Sequence, residues 1–253
     1  MEIYVVPDAP ATGVVAAGIL AAVVRSKTDA ILGVATGSSP IPVYEALAAH
    51  DLDMSQVRAF ALDEYVGLPA GHPQSYAEVV RREVTERLGL DPARVAVPDG
   101  GAGDPHEAAV IYDSAIREAG GIDVQLLGIG HNGHIAFNEP GSELDSRTRV
   151  EVLADRTRQA NARYFRSLKD VPTRCITQGL GTILEARQLL MVAHGADKAE
   201  ILAAALSGPV SPECPGSVLQ LHPHVTVVAD QAAATHLEAG RGQVTLQVAT
   251  PSA

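Results

Sequence analysis

The sequence predicts a doubly wound α/β fold, a mostly parallel sheet with helices on both faces in a Rossmann-like three-layer sandwich. Two observations carry this. Short apolar runs recur along the chain, and longer segments with helical spacing separate them. Strands joined across such helices pair in parallel through right-handed crossovers, which leaves both sheet faces covered. A hydrophobic content of 46% over 253 residues supplies one large core, and no linker divides the chain, so a single domain over residues 1–253 is expected.

Taken in order, the first strand is residues 3–6, followed by a helix over residues 9–25. The apolar run at residues 14–24 within that helix is too short to span a bilayer, and Glu2 spoils the positive start of a signal peptide. A strand at residues 30–35 leads into a helix at 43–50, and a strand at 58–62 precedes a helix at 76–88. The Gly/Pro-rich stretch 98–105 is a loop before a helix at 106–119. Residues 124–128 form the next strand. At 148–153, Val150 and Val152 alternate with polar neighbours, as in a half-exposed or edge strand. A helix at 156–165, a strand at 189–193, a helix at 197–206 and a strand at 225–229 complete the pattern.

The formal charge of -11 and the lack of any basic run exclude nucleic acid as a partner, because holding a phosphate backbone demands concentrated Lys and Arg. A single phosphate on a small ligand is compatible with it, since local donors set that contact. The two cysteines, Cys175 and Cys214, form no CxxC pair, so neither a disulfide framework nor a structural zinc site is indicated. A cytoplasmic protein with no membrane partner is expected.

Four constellations carry chemistry. Thr36, Gly37, Ser38 and Ser39 close a buried strand and open a helix, where exposed N–H groups and the helix dipole favour an anion; the same hydroxyls also serve as ordinary helix caps. Asp63 and Glu64 follow an apolar strand directly, where partial desolvation makes a carboxylate a stronger general base, or where it caps the next turn. Gly128, Gly130 and Gly133 match a dinucleotide fingerprint in spacing alone. The Asn138-Glu139-Pro140-Gly141 turn leaves no room for the helix that fingerprint requires.

In that same segment His134 and Glu139 read as a proton-transfer pair, with a satisfied core histidine and an exposed turn glutamate as the alternative. His131 and His134 lack a third ligand, so no metal is expected. Last comes a scatter of cations, Arg147, Arg149, Arg156, Arg158, Arg163 and Lys198. Most belong on a solvated surface, while Arg163, beside Asn161, and Lys198, at a helix start, are placed to reach an anion.

In order along nearly the whole chain, the segments 35–40, 62–68 and 133–141, then 146–149, 161–165 and 217–223, resemble the glucosamine-6-phosphate deaminase family. The resemblance implies conversion of glucosamine 6-phosphate and water into fructose 6-phosphate and ammonia, without metal or organic cofactor. It implies that His134, supported by Glu139 and Asn132, opens the sugar ring, and that Asp63 moves the proton from C2 to C1. The phosphate is then held by the turn at 36–39 with Arg163 and Lys198, under a lid at residues 153–175.

Two departures from the family pattern matter. Asn132 stands where many relatives carry Asp, so its support is a hydrogen bond and not a charge. Glu151 stands near the position where relatives activated by N-acetylglucosamine 6-phosphate are basic, so no such activation is expected. A 6-phosphogluconolactonase shares the fold and the Gly-His turn, but differs after the histidine from Phe137-Asn138-Glu139-Pro140. A non-catalytic sugar-phosphate sensor is the other alternative, disfavoured by Asp63, His134 and Glu139 standing intact. A homo-oligomer is left open.

Overall fold

The computed structural model describes residues 1–237 and the backbone of residues 245–248. The first half of the chain gives β1 (Glu2–Val6), α1 (Ala9–Ser26), β2 (Ile31–Val34), α2 (Ile41–Ala48), β3 (Arg58–Ala61), β4 (Asp63–Tyr65), α3 (Tyr76–Val80), β5 (Val95–Ala96), α4 (Pro105–Glu118) and β6 (Val124–Leu127). The second half gives β7 (Arg149–Val152), α5 (Asp155–Asn161), β8 (Arg174–Thr177), α6 (Leu180–Leu184), β9 (Gln188–Ala193), α7 (Ala199–Ser207), β10 (Val225–Asp230) and β11 (Thr245–Val248).

Eight strands form one parallel sheet in the order β11-β1-β10-β9-β6-β2-β3-β5. Each strand expected for it from the sequence is present to within one residue at either end. The doubly wound fold stands, with an addition: β4, β8 and β7 make a second, antiparallel sheet. The alternating segment at 148–153 is β7, an edge strand of that small sheet.

Two helices are broken where a continuous one was expected. Residues 76–88 form α3 followed by a π-helical turn at Arg81–Glu86, and residues 156–165 form α5 followed by a 3₁₀ turn at Ala162–Tyr164. Lys198 likewise closes a 3₁₀ turn, Ala196–Lys198, just ahead of α7.

Local chemistry explains the helix starts. Asp8, Ser75 and Asp104 each accept a hydrogen bond from an early backbone N–H, and α1 and α4 carry proline in the first turn, where its missing donor costs nothing. α1 is the one helix among the described residues long and apolar enough to cross a membrane. Here it buries Ala16, Ala17, Leu20, Ala21 and Val24 and packs against α2, β9 and β10.

Topology places the site. From β2 the chain moves outward through β3 to β5, then returns to β6 and continues the other way through β9 to β10. The loops after β2 and β6 therefore diverge, leaving a crevice at their carboxyl ends, where ligands gather in open α/β sheets.

Candidate active site

Both sides of this crevice are pinned by buried side chains. At the end of β2 the Tyr44 hydroxyl donates to Ala35 O at 2.8 Å and accepts from Ala35 N at 3.0 Å. The following turn, Thr36 to Ser39, bends through Gly37 at φ +96°, a left-handed conformation that favours glycine. This turn lines a cavity of about 470 Å³ together with Asp63, Tyr65, Tyr76, His134, Arg163 and Lys198.

Asp63 lies where the chain leaves the large sheet for the small one. Leu62 N still bonds to Val34 O, while Asp63 pairs with Thr177 of β8. Its side chain is buried, and burial, followed by repulsion from Glu64, holds its carboxyl well above the ordinary range. Glu64 points elsewhere, accepting from the backbone N–H of Tyr65, Tyr76 and Ala77 at 2.7–2.8 Å. Capping and cavity roles, both open for this carboxylate pair in the sequence, thus separate: Glu64 anchors the start of α3 and Asp63 faces the cavity.

After β6 the chain makes a tight turn rather than a helix. Gly133 N bonds to Gly130 O and Gly130 N to His134 O, and the imidazole of His134 lies so close over Gly130 that a Cβ there would meet Nε2 at 2.2 Å. His134 lines the cavity; Asn132 and Glu139 stand behind it. Asn132 Nδ2 donates to Glu139 Oε2 at 2.8 Å, Asn132 Oδ1 accepts from His134 N at 3.3 Å, and Glu139 Oε2 is 3.6 Å from His134 Nδ1. Burial raises the Glu139 carboxyl, but the nearby His134 and Thr157 side chains together with the Asn132 hydrogen bond outweigh it and hold the group at about 2.

The turn itself is held from the small sheet. Ala136 adopts φ +51°, the only positive φ at a non-glycine among the described residues. Asn138, fully buried, donates to Ile135 O at 3.0 Å and Gln178 O at 2.8 Å and accepts from Arg149 Nη1 at 2.8 Å. Gln178 in turn bonds to Ala61 O and Leu62 O, beside Asp63. The His134 turn and the Asp63 strand are therefore fastened to each other.

Of the six cations picked out in the sequence, Arg163 and Lys198 line the cavity. Burial, and then the Arg163 charge, lower the Lys198 ammonium, opposed by Asp197. Lys198 is half-buried and Arg163 exposed, and two cations brought this close suit an anion. Arg147 is engaged by Asp113 and Glu185, Arg149 by Glu151 as well as Asn138, and Arg158 by the carbonyls of Leu168 and Val171. Arg156 is exposed, yet close enough to help push down His131, whose ring burial already disfavours the charged form.

The sequence offered Tyr65 only as an apolar neighbour that desolvates Asp63 and gave no sign of its wall with Tyr76 and Phe137, ring centroids 4.9–5.7 Å apart, nor of Thr157, which lines the cavity from α5. Asn161, singled out only as a neighbour of Arg163, donates to Tyr65 OH at 2.9 Å and fastens α5 across the opening. The spacing of these residues shows only that they are apolar or helical; their convergence needs the two sheets together. Among the described residues no three His, Cys, Asp or Glu side chains converge as a metal site would.

Comparison with known proteins agrees with this architecture. Residues 10–228 match the family model described as glucosamine-6-phosphate isomerases/6-phosphogluconolactonase. A glucosamine-6-phosphate deaminase of Arthrobacter sp. (strain FB24) is 54% identical over 241 residues, covering 94% of this chain and 93% of the relative. A solved structure of a monomeric glucosamine-6-phosphate deaminase is 38% identical, with a TM-score of 0.90, covering 93% of this chain and all of that one. A 6-phosphogluconolactonase from Trypanosoma cruzi, 21% identical with a TM-score of 0.73 over 93% of this chain and 96% of its own, shares the fold.

Proposed function

Since the chain belongs to the glucosamine-6-phosphate isomerase/6-phosphogluconolactonase family, we propose that it hydrolyses glucosamine 6-phosphate to fructose 6-phosphate and ammonia, as an isomerising deaminase. One observation carries the reading: Asp63 and His134 share a single cavity with the turn at Thr36 to Ser39, Arg163 and Lys198.

The phosphate docks on that turn and the two cations, so that binding energy remote from the reacting carbons positions them. His134, oriented by Glu139 and Asn132, takes the proton of the C1 hydroxyl and returns one to the ring oxygen, opening the pyranose to the aldehyde. Asp63 then removes the proton from C2. The resulting enolamine is reprotonated at C1 by the same carboxyl, giving an imine at C2. Water adds to that carbon and ammonia leaves. A buried carboxylate suits the middle steps, because desolvation makes it a stronger base and keeps its proton from bulk water until it is returned.

Residues 153–175 act as a lid: Thr157, Asn161 and Arg163 line the cavity from this segment, and closure over the sugar excludes water. Glu151, paired with Arg149 at 2.6 Å, puts a carboxylate where activated relatives are basic and would repel a phosphate there, so no activation by N-acetylglucosamine 6-phosphate is expected. The deciding assay offers glucosamine 6-phosphate and, separately, 6-phosphogluconolactone. Release of ammonia with fructose 6-phosphate is expected; lactone hydrolysis without ammonia would replace this reading by the lactonase one.

A further inference from the structure

Three buried polar atoms without hydrogen-bond partners meet around one carboxylate: His134 Nδ1, Glu139 Oε1 and Thr157 Oγ1. The first two belong to the turn after β6; the third comes from α5, where Thr157 is only 3% exposed. A threonine in a helix ordinarily returns its hydroxyl to a carbonyl one turn back. This one does not, and its hydroxyl lies near enough to Glu139 to help hold that carboxyl low. Asn132 already engages Oε2, which stays 3.6 Å from His134 Nδ1, beyond the roughly 3.2 Å reach of a hydrogen bond.

We propose that Thr157 is a positioning residue that completes the His134–Glu139 pair when substrate is bound. As α5 settles onto the sugar phosphate, the Thr157 hydroxyl donates to Glu139 Oε1 and fixes the carboxylate so that Oε2 reaches His134 Nδ1. Arg163 follows Thr157 in the same segment and lines the cavity beside Lys198. The group that grips the phosphate is thereby tied to the group that finishes the ring-opening pair. Ring opening is then assembled only around a bound phosphate ester, and catalytic hydrogen bonds that are long before binding shorten on closure. The inference rests on the deaminase reading and on residues 153–175 moving as a lid.

The chain contains no tryptophan, so Leu168→Trp, at a position 41% exposed on the segment after α5, gives a clean fluorescence reporter of lid closure. In that background Thr157→Val and Thr157→Ser are compared by two readouts. One is kcat for ammonia release. The other is the fluorescence titration with fructose 6-phosphate in the absence of ammonium, which needs binding but no turnover.

Valine keeps the shape and removes the hydroxyl. A tenfold to hundredfold fall in kcat is expected, about the loss from one hydrogen bond to a charged group, with the midpoint of the lid titration unchanged within about twofold. Serine restores kcat to within about threefold. The proposal is overturned if valine leaves kcat within twofold, if serine falls as far as valine, or if the lid titration weakens in parallel with kcat, which marks a packing role. A parent protein that closes its lid on fructose 6-phosphate yet releases no ammonia from glucosamine 6-phosphate overturns the deaminase reading, and this proposal with it.

Discussion

Asp63→Asn isolates the proposed proton carrier with the least change of shape. The amide occupies nearly the volume of the carboxylate but cannot take a proton from C2, and a positioned general base contributes roughly a hundredfold to ten-thousandfold. Because Asp63 serves both the removal at C2 and the return at C1, the loss in kcat should approach the upper end of that range. Binding should survive, since the phosphate is held by other groups lining the cavity, the turn after β2 with Arg163 and Lys198. Ammonia release measures the first effect, and calorimetric titration with fructose 6-phosphate, expected within about threefold of the parent, measures the second.

Stability supplies an independent check on the same residue. The folded carboxyl is raised well above its unfolded value by burial and by Glu64, so the native state binds its proton more tightly than the unfolded one. Asp63 therefore costs nothing below the unfolded pKa and destabilises increasingly as pH rises through the folded one. The Asn variant should gain on the parent in thermal stability as pH rises out of the ordinary carboxylate range, and the parent's turnover should fall as pH drops below the raised value. Turnover within tenfold of the parent would place the base elsewhere.

Glu139, held at about 2, should behave in the opposite sense: its contribution is complete above the unfolded carboxylate pKa and disappears as pH falls toward 2, so Glu139→Gln should flatten the acid limb of unfolding, followed by circular dichroism. The same variant should lose roughly tenfold to hundredfold in kcat, as expected for losing a charged hydrogen-bond partner. Arg163→Ala and Lys198→Ala should each raise KM for glucosamine 6-phosphate by about tenfold or more while fructose 6-phosphate binds correspondingly more weakly. Glu64→Gln should destabilise by about 1.5–3 kcal/mol in urea unfolding, the value of a charged acceptor to backbone N–H groups, because the amide replaces one oxygen among three donors. Adding N-acetylglucosamine 6-phosphate should leave the initial rate unchanged, and activation would refute the repulsion expected from Glu151.

The parallel sheet was legible in the sequence because its strands are short apolar runs bounded by turn residues and separated by amphipathic helices, a pattern set by local periodicity. The Gly-rich turns and the Pro140 stop were legible for the same reason: they constrain backbone within a few residues. Of the small sheet, only β7 was legible, through its alternation of apolar and polar residues. β4 is three residues of mixed polarity and β8 four, and they become strands only by pairing, β4 with β8 across more than a hundred positions and β8 also with β7. The breaks after α3 and α5 escaped notice likewise, because tertiary contacts override a helical pattern that continues past them.

For the site, residue types and order along the chain pointed to Asp63, His134, Glu139 and the turn at Thr36 to Ser39. Tertiary structure decided which of Asp63 and Glu64 faces the cavity and which caps α3. It also kept at the cavity the two cations that the sequence had set apart, Arg163 and Lys198, and brought Thr157 beside Glu139. Sequence encodes chemistry through the atoms of each side chain and the backbone angles of its neighbours. Burial, hydrogen-bond distance and pKa depend on groups that only folding brings within a few ångströms.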